Sequence, residues 1–240
     1  MFNYSQKTFS SSVASSSSID IGLRSYMVKV YNQMTIALGI SGFIAFIVAN
    51  TPLMQIIFGN KILMWVAVLS PLAFVIFFSL KLASISAQTA KNYLWIYASL
   101  MGISLASLFA IYTGVSITRV FFITAATIWA ISLYGYTTKK DLTNFGSFLM
   151  MGLIGIIIAS LINIFLKSSA MHFAISIIGT LIFIGLTAYD VQKIKQQYYM
   201  VSGNDEMIAK ASVVGALSLY MDFINLFIHL MQLMGQRRGE

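Results

Sequence analysis

The sequence predicts an all-α integral membrane protein of seven transmembrane helices, with the last helix central in the bundle. Three observations predict it. Of 240 residues, 58 % are hydrophobic and 9 % charged, with a mean hydropathy of +0.84. A soluble domain carries about 25 % charged residues, and this chain has too few polar side chains to cover a soluble surface. Seven apolar runs follow one another, each near the roughly 20 residues that a spanning helix needs. The last run carries a full carboxylate near its middle, which cannot sit in lipid alone and calls for a surrounding bundle.

Residues 1–20 are Ser-rich and offer no core-forming pattern, so they predict a disordered tail ahead of a membrane domain over 21–240. The tail has no charged segment leading at once into an apolar one, and so does not read as a cleavable signal peptide. The first apolar run is 27–49, closed by the turn signal Asn50-Thr51-Pro52. The second is 62–82, the third 93–113 and the fourth 119–136. The fifth is 145–166, the sixth 171–191 and the seventh 211–234. Short loops make neighbours antiparallel. No run alternates polar and apolar with period two, which argues against a barrel.

Small residues mark helix contacts. Gly102, Ala106, Ala110 and Gly114 recur every four residues in the third run, and Gly39 with Gly42 and Gly152 with Gly155 stand close in the first and fifth. Such positions let a neighbouring helix approach.

The net charge is +8. Basic residues gather in cytoplasmic loops of membrane proteins, which accounts for it without nucleic acid. With the N-terminus inside, Lys7, Arg24, Lys29, Lys81, Lys91, Lys139, Lys140, Lys193, Lys195 and Lys210 fall on the inner side. Lys61, Arg119, Lys167, Arg237 and Arg238 fall outside. The positive-inside rule therefore predicts a cytoplasmic N-terminus and an outer C-terminus. Cysteine is absent, which excludes disulfides, thiol catalysis and thiolate metal sites.

In the last run Ser218, Asp222, Asn225, His229 and Gln232 fall at steps of four and three, forming one polar stripe on a helix. Leu219, Phe223, Phe227 and Leu230 occupy the other faces. Among the seven acids, Asp190 is the other one within an apolar run. One reading makes it a helix-end residue leaning toward Lys193. A second follows from spacing: positions 190 and 222 lie symmetrically about the loop signal 202–206. An antiparallel hairpin there sets both carboxylates at similar depth.

A buried carboxylate pair cannot easily hold two charges and shares a proton, or takes a cation in its place. Oxygen ligands suit Ca²⁺, with Asn225 as a further ligand. His229 is either a helix contact or an accessory to pH dependence. His172 starts the sixth run near the outer interface and carries no assigned role. Lys81, late in the second run, is either a snorkelling interface residue or a counter-charge for the carboxylates.

Two segments give these residues a recognisable setting: Gly185-Leu186-Thr187-Ala188-Tyr189-Asp190 followed by Gln192-Lys193-Ile194-Lys195, and residues 216–227 reading ALSLYMDFINLF. With Gly22-Leu23-Arg24-Ser25-Tyr26-Met27, Tyr112-Thr113-Gly114 and residues 133–142, they closely resemble the Bax-inhibitor (transmembrane Bax-inhibitor-motif) family, especially its bacterial members. The resemblance covers the chain after the Ser-rich tail. It implies a seven-helix fold with the last helix surrounded by the other six, in a bacterial inner membrane. It implies a pH-sensitive calcium leak with two aspartates as sensor, which map onto Asp190 and Asp222. The family includes suppressors of cell death and a bacterial member that modulates a membrane-bound protease. An Arg of the second helix latches the aspartates in bacterial members; here the base of that run is Lys81.

The expectation is therefore a calcium or cation leak, with Ca²⁺ as permeant ion, no resident cofactor and the lipid bilayer as environment. The alternative is a non-conducting protein that modulates a membrane protease or another membrane protein. An intramembrane aspartyl protease is disfavoured, because Leu219-Tyr220-Met221 stands before Asp222 where Gly-x-Gly is needed. No phosphate loop or nucleophile elbow occurs, and the chain is not expected to be an enzyme.

Overall fold

The computed structural model describes the backbone of residues 4–239 and the side chains of residues 20–239. Eight helices make up the described residues: α1 Tyr4–Ala49, α2 Leu53–Gly59, α3 Lys61–Lys81, α4 Ala87–Ile111, α5 Gly114–Thr137, α6 Thr143–Leu166, α7 Ser169–Val201 and α8 Asp205–Met234. Seven of these are long and apolar enough to cross a membrane, α1 doing so over Asp20–Ala49. The protein is a multi-pass integral membrane protein. The short α2 was not anticipated: it follows Pro52 and shares the loop between α1 and α3 with Asn60, whose side chain accepts from the Ile62 and Leu63 amides at the start of α3. The expected coreless tail at 1–20 falls on side chains outside the described residues, save Asp20, although helical backbone begins at Tyr4.

Polar caps fix where several spans begin. Ser86, Thr113, Ser168 and Asn204 each accept a backbone N–H in the first turn of the helix that follows. Each such cap contributes about 1 kcal/mol. Gly203, at φ 109°, makes the tight turn between α7 and α8 that a side chain would resist.

The last helix is central. In the most apolar stretch of α8, 67 % of residues are buried inside the protein, against 11 % to 44 % in the other spans. α1, α4, α5 and α7 pack directly on it. Two spans stand one layer out among the described residues: α3 packs on α4 and α2, and α6 packs on α7. The expected ring of six is thus four helices with two buttresses. Aromatic and aliphatic side chains of α8 fill the interior, with Tyr220, Leu219, Leu226 and Met231 fully enclosed.

Small residues set the closest approaches. A Cβ on Gly102 would lie 2.7 Å from the Ser41 carbonyl oxygen, so α4 meets α1 backbone to backbone here. Gly135 is tighter still, with its missing Cβ 2.5 Å from the Ala188 carbonyl of α7. Of the expected contact positions, Gly102 and Ala106 are buried and Gly152 meets Ile182. Ala110 is exposed, Gly114 starts α5 instead of ending α4, and Gly39, Gly42 and Gly155 have nothing within 4 Å. Four-residue spacing finds small residues but does not say which side of a helix meets a neighbour.

The chain end is tied back. Gln236 donates from its amide to the Ser116 hydroxyl at 2.9 Å, and its carbonyl accepts from the Thr113 amide at 3.0 Å. Arg238 donates from its amide to the Ile111 carbonyl at 2.9 Å. A short strap thus closes over the α4–α5 loop.

Candidate functional site

The site is built on the α7–α8 hairpin. The two helices have 33 and 30 residues, about 50 and 45 Å at 1.5 Å per residue. Both exceed a hydrocarbon core of about 30 Å. Their charged ends, with Lys195, Asp205, Glu206 and Lys210, therefore project beyond it.

Contacts across the hairpin fix its register. Gly179 lies against the His229 ring, Ser176 donates to Gln232 at 2.8 Å, and Gly215 lies against Ile194. Thr187 stands in hydrogen-bonding range of Asp222. In this register Asp190 is opposite Ser218, one helical turn, about 5.4 Å, nearer the loop than Asp222. The symmetry point is the Gly203–Asn204 turn and not residue 206, so the two carboxylates are staggered by a turn. They nevertheless line one cavity.

That cavity measures about 620 Å³ and lies between α6, α7 and α8. α6 and α8 do not touch among the described residues, and the gap between them is the cavity. Its α8 wall is the polar stripe, with Ser218, Asp222, Asn225 and His229; Asp190 and Lys193 come from α7. The wall from α6 is apolar apart from Ser160. The stripe is thus not covered by helices, as expected from its polarity, but faces this opening. Its members Ser218, Asn225 and His229 are half-buried, while the apolar faces of α8 are enclosed.

Asp222 is 5 % exposed, and its Oδ2 is buried with no hydrogen-bond partner. A lone buried carboxylate oxygen costs several kcal/mol unless a proton, a cation or water meets it. Asn225 donates from its amide nitrogen to the Met221 carbonyl at 2.8 Å, which leaves its side-chain oxygen as an acceptor on the cavity. His229 stacks on Phe183 with ring centroids 5.7 Å apart, and its Nδ1 is likewise buried without a partner. The absence of a side chain at Gly179 makes room for the ring.

Lys81 is elsewhere. It is exposed at the end of α3, a helix that packs on α2 and α4 and does not reach α7 or α8. The base that shares the cavity with Asp190 is Lys193, one turn along the same helix and 5.7 Å from the Tyr189 ring centroid. Sequence reasoning missed Thr187, because a Thr in an apolar helix ordinarily bonds its own backbone. It also missed Gln192, which holds the α5–α6 loop to α7 through the Leu142 amide at 2.8 Å and the Lys140 carbonyl at 2.7 Å.

A resident Ca²⁺ needs six to eight oxygen ligands. Among the described residues no cluster of three or more His, Cys, Asp or Glu side chains exists. Asp190, Asp222 and Asn225 bring fewer side-chain oxygens to the cavity than a caged Ca²⁺ takes.

Residues 23–239 match the family model described as "Inhibitor of apoptosis-promoting Bax1". The chain is 43 % identical over 219 residues to the inner membrane protein YbhL of Escherichia coli K12, covering 90 % of this chain and 94 % of that one. It is 48 % identical over 223 residues to the uncharacterized protein RP147 of Rickettsia prowazekii, covering 91 % and 92 %. An uncharacterized membrane protein of Streptococcus pyogenes, SpyM3_0260, is 33 % identical over 220 residues, covering 90 % and 95 %.

Proposed function

The chain belongs to the family of inhibitors of apoptosis-promoting Bax1, and from that premise we propose that it is a pH-sensitive cation leak, with calcium as the physiological ion. The observation that carries the reading is the unpartnered Oδ2 of Asp222 in a cavity shared with Asp190. Proton and cation compete for that oxygen. Asp190, half-buried and a turn nearer the α7–α8 loop, passes ions between the loop side and Asp222. Lys193 beside it sets the charge at that entrance and takes the counter-charge role that was one of the two readings of Lys81. Catalysis forms no part of this reading.

The reading places the protein in an inner membrane, as the name of the Escherichia coli relative suggests. The distribution of basic residues supports a cytoplasmic N-terminus and an outer C-terminus. The cavity end with Lys193 then faces the cytoplasm.

The test is calcium entry into liposomes that hold the purified protein. Flux above empty liposomes, reduced by Asp222→Asn and by Asp190→Asn, is the expected result. Flux equal to empty liposomes at every pH would favour the alternative, a non-conducting protein that modulates a membrane protease or another membrane partner. The open small residues Gly39, Gly42 and Gly155 on membrane-facing helices are what speaks for that alternative.

A further inference from the structure

A second large opening lies between α1 and α5. Their backbones stay apart among the described residues, and Tyr31 of α1 reaches Ser132 of α5. The space between the two helices is a crevice of about 980 Å³, floored by Phe223 of α8. Most of its lining is apolar. Gly39 and Gly42 widen it, since a Cβ on either would meet nothing within 4 Å.

The polar groups of the crevice include Arg24 and Tyr31, in the first part of the span Asp20–Ala49 of α1, and Ser132 and Tyr136, at the end of α5. Lys195 of α7 adds a second cation there: its Nζ donates to the Tyr136 carbonyl at 3.1 Å and lies 5.0 Å from that ring's centroid. Asp20, one turn before Arg24 and exposed, is the carboxylate nearest in sequence to this mouth. Deeper by one turn of α5, Ser132 is 5 % exposed and faces Tyr31 of α1.

We propose that this crevice binds one anionic phospholipid of the leaflet on the Arg24 side. An acyl chain lies between α1 and α5, and the phosphate meets Arg24 and Lys195. A long apolar slot with cations at one end selects an amphipathic anion over a soluble metabolite, which would leave the walls bare, and over a zwitterionic lipid, which gains less from the cations. Phe223 follows Asp222 in α8, so an occupied crevice braces the helix that carries the buried carboxylate. The proposal is independent of the ion-leak reading.

Trp129 lines the crevice and reports on it. In a Trp65→Phe, Trp95→Phe background it is the remaining tryptophan. Its fluorescence is measured in bilayers containing either brominated phosphatidylglycerol or brominated phosphatidylcholine of the same chains. The expected result is quenching by the anionic lipid at a several-fold lower mole fraction. Arg24→Gln, at an exposed position, reduces that preference about fivefold. Gly39→Leu with Gly42→Leu fills the slot and removes the preference. Equal quenching by both lipids would overturn the proposal, and so would a preference unchanged by Arg24→Gln. Should the glycine variant not fold, the Arg24 variant decides alone.

Discussion

Thr187 of α7 and Asp222 of α8 face each other across the hairpin, and the Thr187 hydroxyl has one proton for two acceptors. It donates to the Phe183 carbonyl at 2.7 Å, and the Asp222 carboxylate is the other acceptor in reach. When Asp222 carries a proton, Thr187 stays with Phe183. When Asp222 is ionised, the hydroxyl can turn to it. Thr187→Val removes the donor and keeps the shape. Losing a hydrogen bond that reaches a buried carboxylate changes how the site exchanges a proton for a cation. The pH dependence of cation flux should therefore differ from that of wild type. An unchanged profile would remove Thr187 from the sensor.

Ser41, Tyr220 and the Ala98 carbonyl join three helices in the core. The Ser41 hydroxyl lies 2.8 Å from the Ala98 carbonyl and 2.6 Å from the Tyr220 hydroxyl, and either hydroxyl can donate in the second contact. Tyr220→Phe should cost about 1 kcal/mol and lower the thermal unfolding temperature while leaving flux intact. An equal or higher unfolding temperature would show that this node does not hold α8 in place.

Gly135 and Gly155 offer a paired test of helix approach. A Cβ on Gly135 would collide with the Ala188 backbone, whereas one on Gly155 meets nothing within 4 Å. Gly135→Ala should cost about 1–3 kcal/mol by forcing α5 from α7. Gly155→Ala should be neutral or slightly stabilising, since Ala is the better helix former by about 1 kcal/mol. Equal effects of the two on detergent-induced unfolding would contradict this packing.

Asp141, in the α5–α6 loop, accepts from the Thr143 hydroxyl at 2.6 Å and the Thr143 amide at 2.9 Å, which hold its carboxyl below the ordinary value. A depressed carboxyl adds stability above the ordinary carboxylate range, and that stability is lost as pH falls through the folded-state value. Thr143→Val should bring the Asp141 titration, followed by NMR, partway back up. No movement would show that the amide bond alone sets it.

The spans were legible because length and hydropathy decide whether a helix can cross a bilayer, and the polar stripe announced the central helix. That Asp190 and Asp222 share a cavity was legible from their placement about the loop. The one-turn stagger was not, because it is fixed by where Gly203 turns the chain and by the fit of Gly179 under His229. The remoteness of Lys81 was hidden for a related reason. Hydropathy says that α3 spans but not that it packs on α4 and leaves α7 and α8 untouched. The C-terminal strap rests on backbone hydrogen bonds of Gln236 and Arg238, which no side-chain pattern records.

Calcium flux into liposomes across about pH 5.5 to 8.5, for wild type, Asp190→Asn and Asp222→Asn, tests the central claim most directly. The account predicts flux that rises with pH as the proton leaves the site, a flattened profile in Asp222→Asn, and a shifted one in Asp190→Asn. A wild-type pH profile reproduced unchanged by both variants would contradict it, and would make the two aspartates a structural feature of the hairpin.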